Sequence, residues 1–67
     1  MVRGKVIKCA FNDETKGTDL HLNTVRGSCI VSVSEGEYDR TVREAGRTLW
    51  DCEVGVQNGK ILEFCEQ

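Results

Sequence analysis

Hydrophobic and polar residues alternate in several short stretches of this 67-residue chain. The clearest alternation lies near the C-terminal end, where four apolar residues with a period of two predict the buried face of a strand: Trp50, Cys52, Val54 and Val56. Asn58-Gly59 follows, and these residues tolerate the positive φ angles of a tight turn. The apolar run ILEF then predicts a returning strand. We therefore expect a β-hairpin between Thr48 and Glu66.

Two registers are open to this hairpin. A two-residue loop pairs Gln57 with Lys60 and, counting outward, Cys52 with Cys65, close enough for a cross-strand disulfide. That register places Glu63 on the apolar face, where an unpaired carboxylate is costly.

A three-residue loop, from Gln57 to Gly59 with a bulge at the glycine, instead pairs Val54 with Leu62. Leu62 and Phe64 then point inward, and the polar and apolar faces of the two strands match. We expect this second register, in which Cys65 points outward as a candidate reactive thiol and forms no hairpin disulfide.

Three earlier segments have strand patterns: residues 5–11, 18–24 and 29–33. The first is apolar on both faces towards its end, which is typical of a central or bent strand, and Phe11 is expected to point inward. At Ser34 the period changes. Ser34 and Glu37 have the spacing of a capping box, and Gly46 suits the left-handed residue after a helix, which predicts a helix over residues 35–45.

The expected fold is a single small domain, residues 1–67, mainly β with one helix (α+β), in the order β-β-β-α-β-β. This order resembles that of an OB-fold, a five-stranded barrel, with the helix between the third and fourth strands. A small SH3-like barrel or an open sheet with one helix has the same order.

Composition narrows the class of protein. No apolar run approaches the length that spans a bilayer, and the basic start MVRGK leads into a strand pattern, so we expect a cytoplasmic protein with reduced thiols and no membrane partner. The four cysteines fall one per strand, without a C-x-x-C pair, which argues against a metal site. Cys9, Cys29 and Cys52 are expected to be small core residues.

We expect no catalytic residues and no cofactor. His21 is the only histidine, it lies on the wet face of a strand, and the chain has neither a glycine-rich phosphate loop nor a nucleophile elbow. A chain of this length also has little material for a pocket around its own core.

The leading functional hypothesis is a non-enzymatic module that binds another protein. Net charge is −2 overall, but residues 34–67 carry four basic and eight acidic groups. The candidate binding residues are carboxylates on the wet face of the hairpin, which could meet a basic surface on the partner: Asp51, Glu53, Glu63 and Glu66. By size, the chain suits a regulator or inhibitor encoded by a phage or mobile element. Edge strands could also pair two copies into a homodimer.

The alternative hypothesis is single-stranded nucleic-acid binding by an OB-like domain. Two basic groups are candidates, one near the first strand and one along the helix: Arg3, Lys5 and Lys8, and Arg40, Arg43 and Arg47. The weakness is the lack of a stacking platform, because the aromatic side chains are all assigned to the core or to helix packing. A third and weaker hypothesis is redox sensing by Cys65.

Overall fold

A computed structural model of the chain describes residues 1–65. Its elements are β1 (Val2–Asn12), β2 (Gly17–Thr24), β3 (Gly27–Ser34), α1 (Glu35–Ala45), β4 (Glu53–Gln57) and β5 (Lys60–Glu63). All strand pairs are antiparallel, and the sheet order is β3-β2-β1-β4-β5. The expectation of a mainly β domain with one helix is confirmed. Within residues 1–65 the sheet is not closed, because β3 and β5 form its two edges.

The central strand β1 bends at a bulge. Val6 pairs with Leu22 and Lys8 pairs with His21, so both Ile7 and Lys8 stand opposite His21. A bulge of this kind increases the local twist of the strand. Residues 2–5 of β1 pair with β4, and residues 5–12 pair with β2. The bulge also leaves Ile7 exposed, although the alternation along the sequence gave no sign of an extra residue.

The helix begins and ends at the predicted residues. The Ser34 hydroxyl accepts a hydrogen bond from the Glu37 backbone N–H at 3.1 Å, and Gly46 adopts a φ of 69°. The first contact gives the Glu37 N–H an acceptor in the first turn of α1. In the last turn, the Gly46 N–H donates to the Val42 carbonyl oxygen. Thr41 and Ala45 are buried, so this side of the helix faces the sheet.

The core lies between the inner face of the sheet and α1. Among residues 1–65, nine buried residues form it: Val6, Leu20, Leu22, Val33, Leu49, Cys52, Val54, Val56 and Ile61. Tyr38, Val42 and Phe64 pack against this cluster while remaining partly exposed. The strands contribute alternate residues, as expected for a sheet with one buried face.

The predicted three-residue hairpin loop is wrong. Gln57 pairs with Lys60 across a two-residue turn, in which Asn58 and Gly59 have φ angles of 53° and 74°. Positive φ at both turn residues matches the natural twist of a hairpin. A bulge at Leu62 then places Ile61 inward and Glu63 outward. Because of this bulge, the two-residue loop does not bury the Glu63 carboxylate, which was the reason for expecting the longer loop. Leu62 is exposed and does not belong to the core.

The inward assignments of Trp50 and Phe11 are also wrong. β4 begins only at Glu53, and Trp50 lies in a turn with 47% of its surface exposed. Asp51 has a φ of 60°, which interrupts the strand alternation, so that Leu49 enters the core instead. Phe11 is the penultimate residue of β1 and is 56% exposed, although its partner in β2, Thr18, is buried.

Candidate functional site

The carboxylate of Glu63 lies on the outer face of the sheet, where Arg3 binds it. The two guanidinium contacts, Nε to Oε2 and Nη2 to Oε1, are 2.8 and 2.9 Å long. Gly55 pairs with Arg3 on one side and with Glu63 on the other. A Cβ on Gly55 would lie 2.8 Å from Met1 Sδ and 3.2 Å from Glu63 Oε2, so its lack of a side chain leaves room for both. The hydrogen bonds and the charge of Arg3 lower the pKa of Glu63 from its ordinary value. The Glu63 carboxylate is therefore ionised, and the positive charge of Arg3 neutralises it.

The other predicted carboxylates differ in their surroundings. Glu53 stands opposite Lys5 in the pairing of β1 with β4, and its charge helps to raise the pKa of Arg3, after the larger effect of Glu63. Asp51 is exposed in the turn before β4, and Glu66 lies outside the described residues. Of the three carboxylates that the structure describes, Glu53 and Glu63 thus have a cationic neighbour across the sheet.

The arginines of the predicted helix row are engaged unequally. Arg40 forms ion pairs with Glu37 at 2.6 Å and with Glu44 at 2.8 Å. Arg43 is exposed. Arg47 donates from Nε to the carbonyl oxygen of Thr48 at 3.0 Å and from Nη2 to that of Trp50 at 2.9 Å. The helix row is therefore not a uniform cationic stripe.

An exposed aromatic residue, Trp50, lies in the turn next to the bulge of β1. The Asp51 N–H donates to the Val6 carbonyl oxygen at 2.8 Å, so the turn that carries Trp50 runs beside the bulge. Ile7 is 45% exposed and Lys8 is also exposed. We call the following residues the tryptophan surface: Ile7, Lys8, Arg47, Trp50 and Asp51.

The charges of this surface are evident in the sequence, but its apolar centre is not. Arg47 and Lys8, taken from two separate basic groups, lie on neighbouring segments here. Trp50 was assigned to the core because it continues the alternation of β4. The one available signal was its neighbour Leu49, since two adjacent large apolar residues cannot share one face of a strand.

The thiols of Cys52 and Cys65 lie close together. The Cys65 backbone N–H donates to the Cys52 sulfur at 2.9 Å, and the Cys65 sulfur lies 3.8 Å from the Glu53 carbonyl oxygen. Cys65 is partly buried, so the prediction that it points outward beside Asp51 is wrong. The bulge in β5 and the turn at Asp51 account for its position. Burial, followed by contact with the Cys65 thiol, raises the pKa of Cys52.

A second thiol lies against the helix. Burial raises the pKa of Cys9, and burial together with hydrogen bonding to Cys9 raises the pKa of Tyr38 to about 12. Both groups therefore remain protonated at neutral pH, which makes the Cys9 thiol a poor nucleophile. Cys29 is likewise partly buried against the core.

Residues 1–65 contain one sizeable groove and no cluster of metal-binding side chains. No three of their His, Cys, Asp and Glu side chains are grouped so that they could hold a metal ion. A groove of about 680 Å³ lies between the start of β1 and the turn from β2 to β3, with Val2, Arg3 and Val25 among its lining residues. The helix in this part of the chain is too short and too polar to cross a membrane.

Compared with known proteins, the chain matches no family model, and neither the curated proteins nor the solved structures give a significant match.

Proposed function

We propose that this chain is a non-enzymatic module that binds another protein through the tryptophan surface. One observation carries the proposal: Trp50 exposes about half of its surface in a turn whose backbone is hydrogen-bonded to β1 next to the exposed Ile7, although both are large apolar residues. Tryptophan is enriched among the residues that dominate the binding energy of protein interfaces. An apolar centre with a polar rim is the usual anatomy of such an interface.

The charges around Trp50 favour a protein partner over a polyanion. Lys8 and Arg47 are cationic and Asp51 is anionic, so the surface has mixed charge. Arg47 is held by two carbonyl oxygens, and a side chain ordered before binding loses less entropy when the complex forms. Asp51 and Glu53 would add carboxylates at the rim, where they can steer a basic partner towards the surface.

Substitution of Trp50 tests this proposal. We expect Trp50→Ala, immobilised and exposed to extract of the cell that naturally makes the protein, to retain at least about tenfold less of a partner than the natural chain. Val25→Ala is the matched control, since Val25 is fully exposed but lies on the turn between β2 and β3. Retained proteins are quantified by mass spectrometry, and circular dichroism checks the folding of each variant. Equal retention by all three chains would refute the proposal.

A second candidate function is single-stranded nucleic-acid binding. The exposure of Phe11 and Trp50 favours it, because exposed aromatic rings are the stacking surfaces that such binding uses. An OB-like barrel with an open side is the finer fold that we propose for this sheet. Its support is the position of α1 between β3 and β4, together with the approach of the hairpin turn to β3, where a Cβ on Gly59 would lie 4.0 Å from the Ser32 carbonyl oxygen.

Fluorescence distinguishes this candidate from the first. Trp50 is the only tryptophan, so stacking of a base on its ring would quench the intrinsic fluorescence directly. If the chain binds nucleic acid, oligothymidylate at about 50 mM salt should quench the emission and Lys8→Glu should weaken the effect, because phosphate contacts are strong at low salt. An unchanged spectrum and no retention of oligonucleotide on a filter would eliminate this function and leave the protein-binding proposal intact.

A further inference from the structure

The two edges of the sheet are protected to very different degrees. β5 has only four residues, two of them charged, and its Ile61 N–H donates to a Glu37 carboxylate oxygen at 2.8 Å. β3 has eight residues, GSCIVSVS, without a charge or a proline. Proteins usually shield a long edge strand with charges, prolines or a covering segment, because its free backbone groups can pair with another strand. β3 lacks the first two of these protections.

The backbone groups that β3 presents outward can be identified. A Cβ on Gly17 would lie 2.5 Å from the Val33 carbonyl oxygen, so Val33 faces β2. Alternate residues of a strand direct their N–H and C=O groups to opposite sides, and the pairing of β2 with β3 has no bulge. Ser28, Ile30 and Ser32 therefore face away from β2. The nearby turn at Gly59 lies over the Ser32 carbonyl, which leaves Ser28 and Ile30 open.

We infer that β3 is a self-association site, at which the β3 strands of two copies pair antiparallel about a twofold axis at Cys29. Ser28 of each copy would then exchange two backbone hydrogen bonds with Ile30 of the other. This register uses only the two open residues. Pairing Ile30 with itself would also require Ser32, which the hairpin turn obstructs.

A second copy suits this edge better than a strand of another composition. In a twofold pair both strands have the same sequence. A charged residue near the axis would therefore lie close to the same charge of the second copy and be repelled by it. β3 has no charge to create that repulsion. Ile30, which is 61% exposed in one chain, lies within the paired segment and would become more buried.

Proline substitution tests the pairing. Ile30→Pro removes an N–H that faces away from β2, so the hydrogen bonds within the chain are retained while each copy loses one of its interchain hydrogen bonds. We expect the natural chain to show a monomer–dimer equilibrium by sedimentation between about micromolar and millimolar concentration. Ile30→Pro should weaken it at least about tenfold, because each copy loses one interchain hydrogen bond. Val25→Lys, at a fully exposed site outside β3, should leave it unchanged.

Only dimerisation that depends on Ile30 supports the inference. A natural chain that stays monomeric overturns it, and so does a dimer that forms equally well with Ile30→Pro. Urea unfolding of Ile30→Pro confirms that the monomer is folded. If that variant unfolds, Ile30→Lys replaces it, since the two introduced charges would lie diagonally across the twofold axis and repel each other, which should also weaken the dimer.

Cross-linking tests the register separately. Cys29 would face Cys29 of the second copy at a position without hydrogen bonds, where the Cα atoms lie about 4.5 Å apart and a disulfide can form. Diamide, which accepts two electrons and two protons from a pair of thiols, should produce a covalent dimer of the natural chain. Cys29→Ser should abolish that dimer, whereas Cys65→Ser should not. Covalent dimers that persist in Cys29→Ser and disappear in Cys65→Ser would refute this register.

Discussion

Replacing Leu49 with alanine is expected to lower the free energy of unfolding by about 2–5 kcal/mol, because it removes a fully buried side chain and leaves a cavity. A domain of 67 residues has a total stability of only about 3–10 kcal/mol. The substitution should therefore remove a large share of that stability. Urea unfolding followed by circular dichroism measures the change.

Trp50→Ala is the matched control for this experiment. Trp50 is the larger side chain, but about half of it is already exposed, so its loss should cost about 1 kcal/mol or less. The order of the two effects is the informative result. If Trp50→Ala were more destabilising than Leu49→Ala, Trp50 would be the core residue, and the tryptophan surface would not exist as described.

Replacing Glu37 with alanine is expected to lower the free energy of unfolding by about 1–3 kcal/mol, because it leaves the buried N–H of Ile61 without an acceptor. The Glu37 side chain is only 15% exposed, so water cannot readily replace the lost oxygen. The same carboxylate joins α1 to the edge of β5. Glu37→Gln keeps an acceptor oxygen and should cost less than Glu37→Ala in the same urea titration.

The contribution of Glu37 should also depend on pH. Hydrogen bonding to Arg40, followed by the Ile61 N–H and nearby positive charge, lowers the pKa of Glu37 below its ordinary value of 4.5. A carboxyl with a lower pKa in the folded chain stabilises that state fully above its ordinary pKa and loses this effect as the pH falls through the folded value.

The natural chain should consequently lose its advantage over Glu37→Gln between about pH 5 and pH 3. Glu63, whose pKa is lowered by Arg3, is present in both chains, so its effect cancels in the comparison. Unfolding titrations at several pH values measure the difference. A gap between the two chains that stays constant across this range would contradict the assigned role of the Glu37 charge.

Predictions based on local residue choice were confirmed. Ser34 and Gly46 delimit α1 in the structure as they do in the sequence. Asn58-Gly59 forms the hairpin turn, and the strands follow in the expected order. Each of these features depends on the conformational preference of a few neighbouring residues, which the sequence displays directly.

The errors arose where one residue is inserted into a regular pairing. The bulges at Ile7 and Leu62 and the left-handed Asp51 each shift the residues that follow, and a shift of one residue moves a side chain to the opposite face of a strand. Such shifts depend on the partner strand. Alternation along one segment cannot reveal them, and Trp50 and Leu62 were placed inward for this reason.

Residue type and local spacing alone determine that the chain forms five strands and one helix, where the helix is capped and where the hairpin turns. Tertiary contacts decide which aromatic side chains are exposed and which carboxylates are neutralised. Arg3 and Glu63, for example, are 60 positions apart and meet only because β1 and β5 flank β4. The same strand order leaves β3 as an edge. The type and order of the elements are set by near neighbours, whereas bulges, burial and charge pairing are set by residues that meet only after the chain has folded.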